Sequence, residues 1–107
     1  MIYSLEEIAR RVRPVAEKYH LKVVYVFGSY ARGEAQEDSD VDLLIDDTGS
    51  GLVGWGYGGL YNDLEEALEK PIDLVLTGSL EQPIHHQSDI SFREIVKRER
   101  REIYAVA

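Results

Sequence analysis

Apolar residues recur at helical spacing from Leu5 through Ile8, Val12, Val15 and Ala16 to Tyr19. Ser4 stands three residues before Glu7, the spacing of a capping box, so the stripe predicts a first helix over about 5–19. Pro14 lies inside this stripe and has no backbone donor, which predicts a kink or the start of a second short turn. The period then changes. Val23-Val24-Tyr25-Val26-Phe27 is β-branched and aromatic and predicts a buried strand. Gly28-Ser29 stops it and opens a short helix through Ala31 and Arg32, which Gly33 ends. A polar loop over 34–39 leads to a second strand over 41–45. Six of the nine glycines fall between Gly49 and Gly59, which predicts a mobile loop feeding a helix over about 60–69, closed by Pro71. Ile72 to Leu76 predicts a third strand, Gly78 to Gln87 a connection, and Ser91 to Arg101 a last helix. Ile103 to Val106 reads as a final strand or a tail. The order αβαβαβα predicts an α/β (α+β) chain with a small sheet covered by helices.

Length and charge narrow the function. A chain of 107 residues, 44% of them hydrophobic, predicts one domain over 1–107 with a single core. Twelve basic against twenty acidic residues give a net charge of -8. That field disfavours direct binding of nucleic acid or of an anionic membrane, but not of a nucleotide delivered with a divalent cation. The absence of cysteine excludes disulfides, thiolate zinc sites and cysteine nucleophiles. Acids in the first residues do not fit a signal peptide, and no apolar run is long enough to span a bilayer; the expected compartment is the cytoplasm.

The candidate chemistry lies in the acids. Residues 34–47 hold seven of them and no Lys or Arg. A calcium loop beginning at Asp38 fails, because Leu43 stands where its glycine belongs and Gly49 where its bidentate glutamate belongs. Gly49-Ser50-Gly51-Leu52-Val53-Gly54 matches a dinucleotide fingerprint, with Asp73 some twenty residues on. The fingerprint needs a helix opening within the glycine turn, and Trp55 to Gly59 read as more loop. A two-metal site fits better. Asp40 and Asp42 lie on one face of a strand, about 7 Å apart at ~3.3 Å per residue, and hard cations in phosphoryl-transfer sites take such oxygen ligands. Asp73, the single acid in an apolar strand, supplies a third carboxylate whose burial calls for a cation. Gly28 and Ser29 at a strand exit offer a phosphate cradle, and Arg32 one turn on can pair a phosphate.

These residues carry a resemblance. Gly28-Ser29, ten intervening residues and Asp40-Val41-Asp42 form a G-S-x10-D-x-D motif. The fuller run from Phe27 to Leu43 resembles the minimal nucleotidyltransferase (MNT) proteins of the DNA polymerase beta-type superfamily. The resemblance extends over nearly the whole chain and implies a mixed sheet with flanking helices. It implies that Asp40, Asp42 and Asp73 are catalytic and bind two Mg²⁺ ions. It implies that Gly28, Ser29 and Arg32 hold the triphosphate of ATP. Many MNT proteins are antitoxins beside a HEPN-family RNase toxin. The implied activity is therefore transfer of AMP from ATP to a toxin tyrosine, as in a type VII-like toxin–antitoxin pair. The competing reading is a non-catalytic module that neutralises its partner by contact alone.

The remaining features read as structural. Lys97 to Arg101 complements a helix C-terminus, His20 sits at a helix end, and His85-His86 is an exposed pair. Trp55 and Tyr57 either fold back onto the core or form a partner patch.

Overall fold

The computed structural model describes residues 2–77 and 87–106; His85-His86 and most of the connection from Gly78 lie outside them. Helix α1 spans Leu5–Lys18. The Ser4 hydroxyl accepts from the Glu7 amide at 3.1 Å, and Glu6 and Glu7 occupy the first turn, where the dipole favours acids. Ile8, Val12, Val15 and Ala16 are buried, as their spacing predicts. Pro14 does not end the helix: α1 runs through it, with the exposed proline on the side away from the core.

Strand β1 (Val23–Phe27) leads into α2 (Gly28–Arg32), β2 (Val41–Asp46), α3 (Trp55–Leu68) and β3 (Ile72–Leu76). Helix α4 (Gln87–Glu99) and β4 (Arg101–Ala105) follow. The sheet order is β3-β2-β1-β4. Strand β1 is antiparallel to both β2 and β4, whereas β2 and β3 are parallel and joined by the α3 crossover. The sheet is therefore mixed, as expected.

Helices α1 and α3 cover one face. Leu60, Leu64 and Leu68 recur every fourth residue along α3 and pack with Ile8, Val12, Val41, Leu43 and Ile45. Tyr3 Oη donates to the Leu68 carbonyl at 2.7 Å, and Tyr19 Oη and Lys18 Nζ both donate to Asp63, fastening the end of α1 to α3. The other face is also covered: Phe27, Leu44 and Val96 form a second buried cluster under α4. Leu44 thus shares the face of the aspartates, and β2 is buried on both sides along its middle.

The glycine-rich stretch departs from expectation. Helix α3 begins at Trp55, not near Leu60, and carries Gly56, Gly58 and Gly59 in its first turns. Propensity opposes this, but packing overrides it. A Cβ on Gly59 would stand 3.0 Å from Tyr19 Oη, so the bare backbone lets α3 approach α1. The loop before the helix is tied down. Asp46 accepts from the Thr48 amide, Ser50 Oγ from the Leu52 amide, and Asp47 from Tyr57 Oη at 2.6 Å. Tyr57 therefore folds back, while Trp55 is 96% exposed.

Candidate active site

The in-register pairing of three strands builds the site. Phe27 on β1 pairs with Asp42 on β2, and Asp42 pairs with Asp73 on β3. Asp42 and Asp73 therefore stand side by side, and Gly28 follows Phe27 directly. Gly28 has φ +71°, and a Cβ there would come 2.0 Å from Asp42 Oδ2. Only a glycine lets the β1–α2 turn close against this carboxylate. Glu34 N donates to Ser29 O at 2.9 Å and Gly33 takes the left-handed conformation at the C-cap, which completes the turn.

The electrostatics concentrate on Asp42. Burial pushes its carboxyl up to about 6, with the charges of Asp73 and then Asp40 adding and Arg32 opposing. Asp42 feels both neighbours, while Asp40 and Asp73 are themselves exposed. This corrects the expectation for Asp73. Its strand is at the sheet edge, its side chain is in water, and no burial cost demands a cation. Among the described residues, no three carboxylate or imidazole groups converge into a ready ion cage. The donor set around Asp42 is nonetheless oxygen-only and anionic, which suits a hard divalent cation.

Arg32 is committed elsewhere. Its Nη1 donates to Glu99 Oε2 at 3.0 Å and its Nε lies 3.4 Å from Glu34 Oε1, which ties α2 to the end of α4. No sequence signal linked Arg32 to Glu99, 67 residues on. Tyr61, also unnoticed in the sequence, lies at this end of the sheet, its hydroxyl donating to the Ile72 carbonyl at 3.3 Å.

The dinucleotide reading fails, but for a different reason than the sequence suggested. A helix does open directly after Gly54. However, β2 and β3 are parallel, so the glycine loop after Asp46 lies at one end of the sheet and Asp73, second in β3, at the other. One ligand pairing the loop with that acid is excluded.

The raised carboxyl of Asp42 gives a stability prediction. A group whose folded value exceeds its unfolded value near 3.8 favours folding at low pH. That contribution is lost as pH rises through about 6. Asp42→Asn removes the disfavoured charge, so the metal-free variant should melt higher than wild type at pH 7.5. With the side chain part-exposed, screening limits the gain to about 1 kcal/mol, or about 4–6 °C at this size. Melts in chelator at pH 7.5 and pH 4 check this: the gain should shrink at the lower pH, and equal stability at pH 7.5 would contradict it.

Comparison with known proteins identifies the family and the fold. The polymerase beta nucleotidyltransferase family model matches residues 10–101. The protein adenylyltransferase MntA of Thermococcus cleftensis is 38% identical over 90 residues, covering 76% of this chain and 85% of that protein. A solved minimal nucleotidyltransferase superposes with a TM-score of 0.65 at 35% identity, covering 92% of this chain and 94% of that one. An MNT antitoxin in complex with a tri-AMPylated HEPN toxin of Shewanella oneidensis matches with a TM-score of 0.62. At 17% identity over 95% of this chain and 73% of that one, it speaks for the fold. Among the described residues no helix is long and apolar enough to cross a membrane. With the family model spanning most of the chain and the strand-exit glycine closed against the central aspartate, this chain belongs to the polymerase beta-type nucleotidyltransferase family.

Proposed function

We propose that this chain transfers AMP from ATP to a tyrosine hydroxyl of a HEPN-family partner, silencing it as the antitoxin of a type VII-like pair. The observation that carries this reading is the register Phe27–Asp42–Asp73, which sets two carboxylates on one face beside the Gly28 turn. The naming of the Thermococcus relative and the AMPylated toxin beside the Shewanella neighbour support the activity and the partner.

Asp40, Asp42 and Asp73 are the residues that would hold two Mg²⁺ ions. Bound there, these would polarise the α-phosphate and offset the charge of the triphosphate and the leaving pyrophosphate. Gly28 leaves the backbone of the turn open to phosphate oxygens, and the Ser29 hydroxyl donates to one. Arg32 adds a guanidinium to the phosphates once it exchanges Glu99 and Glu34 for them. Asp73, exposed at the edge strand, takes the proton of the incoming hydroxyl. Positioning and charge neutralisation account for most of the catalysis in phosphoryl transfer.

Asp73→Asn tests the reading. It keeps the shape of the side chain and should leave Mg²⁺·ATP binding within about threefold, a loss of no more than one weak interaction. Transfer should fall by about a hundredfold or more. Labelled ATP, Mg²⁺ and a co-encoded HEPN protein provide the assay, with a pull-down alongside because Asp73 is exposed. In cells the variant should bind the toxin and fail to protect. Full protection with no modified tyrosine by mass spectrometry would favour neutralisation by contact alone.

A further inference from the structure

We propose that Tyr61 is an acceptor for the chain's own adenylyl transfer, an intramolecular modification site at the edge strand β3. The inference rests on the transfer reading above and adds a second nucleophile to it.

Tyr61 lies on α3 and is 36% exposed. Its hydroxyl donates to the carbonyl of Ile72, the residue before Asp73. Ile72 pairs with Val41, the residue after Asp40, so the phenol stands at the aspartate end of the sheet. The Val41 amide bonds to the Pro71 carbonyl, so Pro71 turns its oxygen toward β2 and Ile72 turns its own outward. Among the described residues β3 is the edge strand, and Tyr61, from α3 on the face opposite the carboxylates, reaches that edge at the residue before Asp73. The carboxylates of Asp40 and Asp73 are near enough to help hold the phenol above its ordinary value, after burial and Glu65.

The reaction geometry selects that flank. Gly28 and Ser29 belong to the β1 side of Asp42, and β3 lies on the opposite side. In-line displacement places the nucleophile opposite the leaving pyrophosphate. With the phosphates seated at Gly28 and Ser29, the attacking hydroxyl comes from the side of β3, the edge that Tyr61 reaches from α3 and around which its hydroxyl must turn to meet the α-phosphate. Its bond to Ile72 is long for an O–H···O contact, and Glu65, one turn on along α3, also engages the hydroxyl, so the phenol attacks only after leaving both partners.

In the step, Tyr61 Oη forms a bond to the α-phosphorus of ATP. The bond from that phosphorus to the oxygen bridging the β-phosphate breaks, and pyrophosphate leaves with the electron pair. The phenolic proton, still bound at neutral pH, passes to the Asp73 carboxylate and on to solvent. The product is an AMP phosphodiester on Tyr61, lying across the flank by which a partner's tyrosine must enter. Self-modification should therefore slow transfer to the partner.

The test uses the full chain with α-labelled ATP and Mg²⁺ in the absence of any partner, with peptide mapping by mass spectrometry. The expected result is one AMP per chain, on Tyr61, with an initial rate per chain that does not change with protein concentration. Tyr61→Phe should lose the self-label and still adenylylate a HEPN partner, and it should outlast wild type in that assay after preincubation with ATP. Wild-type protein that labels the partner but never itself would overturn the inference and leave the transfer reading standing. So would label on another residue, label persisting in Tyr61→Phe, or a rate per chain that rises with concentration. Failure to label either protein would remove both readings.

Discussion

Asp42→Asn should abolish adenylyl transfer while leaving the chain folded. Asp42 is the central carboxylate, paired with Phe27 on one side and Asp73 on the other, and the one whose charge is most disfavoured by its surroundings. Its neutral isostere keeps the hydrogen-bonding shape and the contact with the Gly28 turn but removes the charge that two cation positions would share. The charge stabilisation that bound metal supplies to a transferring phosphoryl group is worth several kcal/mol. At about 1.4 kcal/mol per tenfold, its loss corresponds to about a thousandfold in rate or more. Single-turnover transfer to a partner protein, with circular dichroism as the control for folding, measures it. The same substitution is expected to raise the stability of the metal-free chain. Lower activity with higher stability would separate a functional charge from a structural one, and near-normal transfer would remove Asp42 from the chemistry.

Gly28→Ala should be nearly as damaging, by a steric route. At φ +71° a side chain is strained by about 1–2 kcal/mol. Its Cβ would also overlap Asp42 Oδ2, at 2.0 Å, and the overlap can be relieved only by moving α2 or turning the carboxylate away. Together these predict a loss of about 2–4 kcal/mol of stability and loss of transfer even in the fraction that folds. Gly33 supplies the control. It has φ +75° but nothing within 4 Å of an added Cβ, so Gly33→Ala should show the conformational cost alone and keep its activity. Denaturant melts and transfer assays on both variants distinguish them. Equal damage from both would mean that the approach to Asp42 does not matter.

Much of the molecule was legible along the chain because it rests on local pattern. The Ser4 cap and the apolar stripe specify α1, and the β-branched run specifies β1. Alternation in β2 places Asp42 on the face opposite Val41 and Leu43, with Asp40 just before the strand rather than in it, and the interval between Gly28-Ser29 and Asp40 is the length of the short helix and loop that join β1 to β2. Those signals repeat within one or two turns of the chain and need no distant partner.

Other features depended on partners far away in sequence. Helix α3 starts inside the glycine tract because close approach of its first turns to Tyr19 outweighs their poor propensity. Leu44, on the polar-looking face of β2, is buried because α4 brings Val96 against it. Asp73 looked like a buried acid because its neighbours are apolar, yet sheet order makes β3 an edge and leaves the carboxylate in water. Arg32 meets Glu99, and Tyr61 reaches the flank of Asp73, only when the crossover and the last helix close over the sheet. The sequence alone determined which residues could do the chemistry and which faces they occupy, because strand and helix periods are local. Their burial, their ion pairs and the side open to an acceptor were decided by strand order and helix packing, which no local period encodes.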